Sequence, residues 1–333
     1  MSKNFWQKLN SSHFAPTSLK LRRASKASRD SAFFCLAPMY DVTDAAFRQM
    51  FVKYGRPDVL FTEFVSADGL ASDEGRPKLL RELYFTKKEH PIVAQIFGAR
   101  PENIEIAAKL VKELGFDGLD INMGCPDKAV EKQSAGAALI KNPKLAQEII
   151  LSAKKVGLPV SIKTRIGYSK FDPDWLKAIR EARPDAVTFH LRTRKELSDV
   201  DAHWELWPQI AEIFQGSGIV LIANGDVKNV KEGKELAEKY GIAGIMVGRG
   251  VFGKPWFFSG QEKTLPEKLK IMLEHTKLFW DLYRESKNFA VMRKHFKAYV
   301  SGFKGATALR AQLMRAENFK EVEKIVKDFL KTI

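Results

Sequence analysis

The chain has 333 residues, 45% of them apolar and 29% charged, which suits a globular protein with a large core and excludes a disordered or fibrous one. No apolar run approaches the roughly 18 residues of a bilayer span. Its two cysteines, Cys35 and Cys125, lie far apart beside apolar runs, which excludes a disulfide framework and a cysteine-rich metal site and fits a reducing, cytoplasmic setting.

The net charge of +15 is unevenly distributed. Residues 1–29 hold seven Lys/Arg and no acid, residues 263–333 hold sixteen Lys/Arg against eight acids, and the stretch between is neutral. Basic ends on a neutral body imply a polyanionic partner, because Lys and Arg neutralise phosphates and release counterions. A solubilising charged surface is the plainer alternative.

In chain order, residues 1–30 are a basic, serine-rich arm that Pro16 keeps from being one continuous helix. The arm is expected to pack on or trail from the body, a transit peptide being the other reading of the acid-free composition of residues 1–29. From residue 31 eight short apolar runs follow: AFFCLAPM, VLFTEFV, IVAQIFG, GLDINMG, VSIKTRI, AVTFHLR, VLIANGD and GIMVGRG. Between most of them lie amphipathic helical patterns such as NIEIAAKLVKELG, PKLAQEIILSAKKVG and VKEGKELAEKYG, each ending at a glycine suited to a left-handed cap. Runs rich in Val, Ile and Phe without clean alternation indicate strands buried on both faces. Eight such units over residues 31–262 predict an α/β protein of the (β/α)8 TIM-barrel type, with an open doubly wound sheet as the competing layout. The second unit is irregular, ADGLASDEGRPKLLREL offering only a short helix. Residues 263–333 contain no strand pattern and read as a small all-helical C-terminal domain of three or four helices.

A barrel builds its site at the carboxyl ends of its strands. There the sequence places Met39 and Tyr40, Glu63, Gln95, Asn122 with Cys125, Lys163 with Arg165, His190, Asn224 with Asp226, and Gly248 with Arg249. Most are weak singly: His190 could be a structural histidine and Glu63 a cap or ion-pair partner. Lys163 stands apart, since an ammonium inside VSIKTRI is costly to desolvate without a task. The Gly248, Gly250, Gly253 spacing matches G-x-G-x-x-G, but it comes last in the series and no second βαβ half follows, so it is poor evidence for a Rossmann site. Small residues and Arg249 after the last two strands suit a phosphate instead, with a ring near Lys163. A flavin satisfies this inventory and a sugar phosphate is not excluded.

The blocks APMYDVTDAAFRQM, TEFVSADGL, QIFG, DINMGCPDKAV, GAALI, KTRIG, NGDV, VGRG and MRKHFKAY, in this order over residues 31–315, resemble the tRNA-dihydrouridine synthases, FMN-dependent enzymes that reduce uridine in tRNA. The resemblance implies FMN contacts at Pro38, Met39, Tyr40, Gln95, Lys163, His190, Asn224, Gly225, Asp226, Gly248 and Arg249. It implies Cys125 as proton donor to the base, Asn122 and Arg165 near the substrate, and Arg293, Lys294 and His295 on a tRNA-binding helical domain. NADPH is the implied reductant; separately, a monomer without metal or membrane contact is expected. Two positions depart from the family pattern: Tyr40, often alanine, and Leu191, usually glycine. The stretch SAGAALI with its Gly136, after Cys125, is expected to admit close approach of the base. A small-molecule flavin barrel resembling dihydroorotate dehydrogenase and a non-catalytic tRNA-binding protein are the alternatives.

Overall fold

A computed structural model describes residues 3–13 and 32–332. The eight apolar runs form strands β1 (Phe33–Leu36), β2 (Leu60–Ser66), β3 (Ile92–Phe97), β4 (Gly118–Met123), β5 (Val160–Arg165), β6 (Ala186–His190), β7 (Val220–Asn224) and β8 (Gly244–Val247). Every pairing is parallel, in the order β1-β8-β7-β6-β5-β4-β3-β2. The ring closes between β1 and the start of β2 through a parallel Cys35 to Val59 bridge, where Leu36 N donates to Val59 O at 3.1 Å. An open doubly wound sheet is thereby ruled out.

The helices are α1 (Phe5–His13), α2 (Ala45–Tyr54), α3 (Ala67–Ala71), α4 (Arg76–Leu79), α5 (Pro101–Glu113), α6 (Lys128–Glu131), α7 (Pro143–Lys154), α8 (Pro173–Ala182), α9 (Trp207–Ile213), α10 (Val230–Tyr240), α11 (Leu265–Tyr283), α12 (Met292–Tyr299), α13 (Ala306–Leu313) and α14 (Phe319–Leu330). The cap glycines behave as their positions imply, Gly115, Gly157 and Gly241 all taking positive φ. The irregular second unit resolves into the two short pieces α3 and α4.

Residues of alternate parity on each strand join different cores. Phe34, Leu36, Leu60, Ile121, Ile162 and Phe189 pack outward under the helices. Phe33, Cys35, Phe61, Val93, Ile222 and Met246 point inward and fill the lower interior, together with Trp6 of α1. Trp6 is fully buried with its ring 6.3 Å from Phe33 and 6.2 Å from Phe61, and Asn4 Nδ2 donates to Asp185 Oδ1 at 2.6 Å. The start of the basic arm therefore plugs the floor of the barrel. Residues 14–31 of that arm lie outside the described residues.

After β8 the chain enters α11 through a capping box, Thr264 N donating to Glu267 Oε2 at 2.7 Å. Helices α11 to α14 enclose a second core that also takes Ala45, Ala46 and Met50 from α2. Thus α2 serves both cores, its Phe47 and Phe51 facing the barrel. No helix among the described residues is long and apolar enough to cross a membrane.

Candidate active site

Because inward positions recur every second residue, each strand ends with a side chain aimed at the barrel mouth. The register aligns Asn122 with Lys163, Arg165 with His190, and His190 with Asn224. A cavity of about 1340 Å³ opens there, and Pro38, Met39, Lys163, Arg165, His190, Asn224, Gly225, Asp226, Gly248 and Arg249 all line it. Ten of the residues singled out in the sequence, from five strand ends, thus meet in one space.

Cys125 follows β4 on a loop that is held from both sides. Asn122 Oδ1 accepts the backbone N–H of Cys125 at 2.9 Å and of Gly124 at 3.1 Å. The Cys125 carbonyl accepts from Ala137 N at 2.9 Å. Gly136 sits at φ +60°, and a Cβ there would lie 2.8 Å from the Cys125 carbonyl oxygen. The SAGAALI glycine expected to admit a base therefore admits the cysteine loop itself. Burial and nearby Asp127 push the Cys125 thiol up, against a lowering backbone hydrogen bond, so it stays protonated through neutral pH.

Lys163 is pulled down to about 8, chiefly by desolvation and then by Arg165, while Asp120 and Cys125 hold it up. Arg165 reaches the carbonyls of Gly124, Thr193 and Leu197, each at 2.9 Å, so its guanidinium braces the cysteine loop. His190 is driven well below its ordinary value by burial and by surrounding cations, and is neutral. Its Nε2 lies 3.1 Å from Arg192 Nη1; arginine can only donate, so Nε2 accepts and the ring proton belongs on Nδ1. Asp226, at φ +52°, accepts from Arg192, from Arg249 Nη2 at 2.6 Å and from Ala202 N at 2.9 Å. Asn224 Nδ2 donates to Met246 O at 2.8 Å, tying β7 to β8.

Several expected residues lie elsewhere. Gln95 has no exposed surface; its Nε2 donates to Asp120 Oδ2 at 2.7 Å and its Oε1 accepts from Asn122 Nδ2 at 3.0 Å. It stands behind the cavity wall rather than on it. Tyr40, expected among the cofactor contacts, is 64% exposed and is not among the residues that line the cavity, nor are Cys125 and Asn122. Leu191 is fully buried in the outer core and is not among the residues that line the cavity. His295 is fully buried, its ring 4.8 Å from Phe47 and 4.6 Å from His275, and desolvation pulls it down to about 3. Neutral and enclosed, it is a core residue and cannot touch RNA, contrary to its expected place beside Arg293 and Lys294. Arg293 lines a smaller cavity of about 420 Å³ between α11 and α12, and Lys294 Nζ lies 3.6 Å from Asp41.

Two residues escaped the sequence reading. Asp120 is buried inside the barrel, accepting from Ser161 Oγ at 2.7 Å as well as from Gln95, and desolvation lifts it to about 6. Its signal was parity: it precedes Asn122 by two, on the same inward face. Arg192, two after His190, is almost fully buried in the cavity wall. Among the described residues no cluster of three or more His, Cys, Asp or Glu is arranged to hold a metal.

A model of the dihydrouridine synthase (Dus) family matches residues 35–333. A probable tRNA-dihydrouridine synthase of Staphylococcus aureus strain Mu50 is 43% identical over 304 residues, covering 89% of this chain and 93% of that protein. Probable tRNA-dihydrouridine synthase 2 of Bacillus subtilis strain 168 is 42% identical over 306 residues, covering 89% and 94%. Among solved structures, 2-naphthoyl-CoA reductase superposes with a TM-score of 0.52 at 11% identity, covering 68% of this chain and 49% of that one, a likeness of fold. Lys163 and the loops after β7 and β8 line one cavity, Pro126 brings the cysteine loop to it, and the match runs through all of them; the chain belongs to the dihydrouridine synthase family.

Proposed function

We propose that the protein is a tRNA-dihydrouridine synthase that uses FMN and NADPH. The observation that carries the reading is the juxtaposition at one mouth of a thiol held in its protonated form and an ammonium whose charge is costly to bury. The residues present fit a phosphate-bearing flavin. The cavity is large enough, Arg249 is half exposed beside Gly248 for a phosphate, and Lys163 stands where a ring gaining negative charge needs a cation. FMN, when bound and reduced by NADPH, supplies hydride to C6 of the uracil ring.

The chain's own residues do the rest. Cys125 Sγ delivers the proton to C5, a task for the thiol and not the thiolate, which suits a group pushed above its ordinary value. Asn122 and Arg165 hold the loop that carries it. A uridine in folded RNA must leave its stack to enter, at a cost of a few kcal/mol, and phosphate contacts from the basic C-terminal helices offset that. A small-molecule flavin barrel would leave those helices without a role.

Incubating the purified flavoprotein with tRNA and NADPH and mapping dihydrouridine tests the reading. Cys125→Ala is expected to keep its flavin and lose at least about a hundredfold in dihydrouridine formation, the range of a general acid. Full product formation by that variant would reject the proton-donor role, and no product from the wild type would reject the function.

A further inference from the structure

We propose that Tyr40, resting on Phe64 and Phe97, is a stacking platform for an unpaired nucleobase of the RNA at the rim of the cavity. The inference rests on the reading of the protein as a tRNA-dihydrouridine synthase and adds a base-binding site to it.

Tyr40 is the most exposed large apolar side chain among the described residues, at 64%. Its neighbour Met39 lines the cavity while Tyr40 stands outside it, so the ring is at the edge of the active site and open to solvent. It does not swing freely. Its ring lies 5.5 Å from that of Phe64 at 33°, and Phe64 lies 5.6 Å from Phe97 at 82°.

The backbone beneath it is fixed as well. Met39 N donates to Thr43 Oγ1 at 2.9 Å, Met39 O accepts from Thr43 N at 3.0 Å and from Val42 N at 3.1 Å, and Val42 N also donates to Glu63 Oε1 at 3.1 Å. Asp41, the next residue, sits at φ +55°, a conformation that costs a non-glycine residue energy and that persists only where the surroundings enforce it. The loop is thus held in a strained shape whose visible result is one aromatic face turned to solvent.

Position and chemistry select the occupant. Phe64, under the platform, is in register with Gln95, and Gln95 bonds Asn122, which holds Cys125, so the platform's support is connected through β3 and β4 to the loop of the proposed proton donor. Lys294 of α12 approaches Asp41 to 3.6 Å, placing the platform where the basic helical segment meets the barrel. A single exposed ring is the width of one base and offers no groove for an apolar peptide. Unstacked RNA bases are commonly held on such aromatic faces, and the contact tolerates any base. Partial desolvation first, and then Asp41, Glu63 and Glu82, raise the Tyr40 phenol from its ordinary value against Lys287, so the ring is neutral at neutral pH.

The test uses the full-length holoenzyme. Tyr40→Ala is expected to raise KM for tRNA about ten- to a hundredfold, while Tyr40→Trp keeps it near the wild-type value. Flavin content and the dependence of log KM on log salt concentration should stay as in the wild type, because stacking releases no counterions. In parallel, an RNA carrying 2-aminopurine next to the target uridine should be quenched by the wild type and not by Tyr40→Ala. An unchanged KM, an equal loss in Tyr40→Trp, or loss of flavin from Tyr40→Ala would overturn the proposal. Should the wild type form no dihydrouridine, the parent reading falls, and 2-aminopurine quenching alone then decides whether the ring holds a base.

Discussion

A carboxylate, two amides and a thiol loop are linked by hydrogen bonds through the barrel interior. Ser161 and Gln95 donate to Asp120, Asn122 donates to Gln95, and the backbone of Gly124 and Cys125 donates to Asn122. Each amide has its oxygen and nitrogen assigned by its neighbours, so Asp120 sets the orientation of every later link. Asp120→Asn keeps the shape, but its amide nitrogen can face the nitrogen of Gln95, which reverses the chain. Turnover in dihydrouridine formation is expected to drop about tenfold, the scale of one hydrogen bond to a charged group. Alkylation of Cys125, readable because Cys35 is buried, should change rate in the same variant. Unaltered turnover and alkylation would show that the amides hold their orientation without the carboxylate. These links differ in how legible they were. Lys163 and Cys125 announced themselves as residue types out of place in their runs. Gln95 and His295 read as contacts because they sit in recognisable blocks, but burial is a tertiary property that no block encodes. Tyr40 stood out only as a departure, and its exposure too is a tertiary property.

Between elements, the turn after α11 reaches back to the barrel mouth. Lys287 Nζ lies 3.0 Å from Glu63 Oε2 and 2.6 Å from Glu82 Oε2, with Lys287 11% and Glu63 3% exposed. Glu63 in turn accepts from Val42, so the lysine joins the helical segment to the loop that carries Met39 and Tyr40. Desolvation raises Glu63 to about 7 despite the lysine, which lowers it. An acid raised on folding contributes stability below its unfolded value of about 4.3 and loses that contribution as pH climbs through its folded value. Lys287→Met removes the compensating charge and raises Glu63 further. The variant should be less stable by about 3 kcal/mol at pH 8, as for a broken buried pair, and the deficit should shrink toward pH 5.5 as Glu63 protonates. Thermal melts of both proteins across that range check it; a deficit independent of pH would mean the lysine acts through packing alone. The strands and helices themselves were legible, since period and cap signals are local. The sharing of α2 between two cores was not, because Ala45, Ala46 and Met50 look like any helix face until α11 covers them.

At the scale of the molecule, that shared helix decides how the charge asymmetry can be tested. Deleting residues 263–333 would uncover the α2 face and the ring of Phe47, against which His275 and His295 pack. Loss of RNA binding in such a truncation would report a damaged barrel as readily as a missing phosphate-binding surface. Surface charge can be removed without touching either core. Lys304, Arg315, Lys320 and Lys324 are exposed in the C-terminal helical segment, outside its buried residues. Changing the four to Gln should weaken tRNA binding and make log K less steep in log salt by about 0.7 to 0.9 for each phosphate that is no longer neutralised. Flavin content and thermal stability should stay at wild-type values, since the substitutions lie on the surface. The slope is the decisive quantity. A solubilising surface leaves it unchanged, whereas a phosphate-binding one becomes less salt-sensitive in proportion to the number of phosphates it gives up. A flat result would transfer the polyanion-binding role to the other basic end of the chain, and a reduced slope with flavin intact would place it on the helices that rest against the barrel mouth.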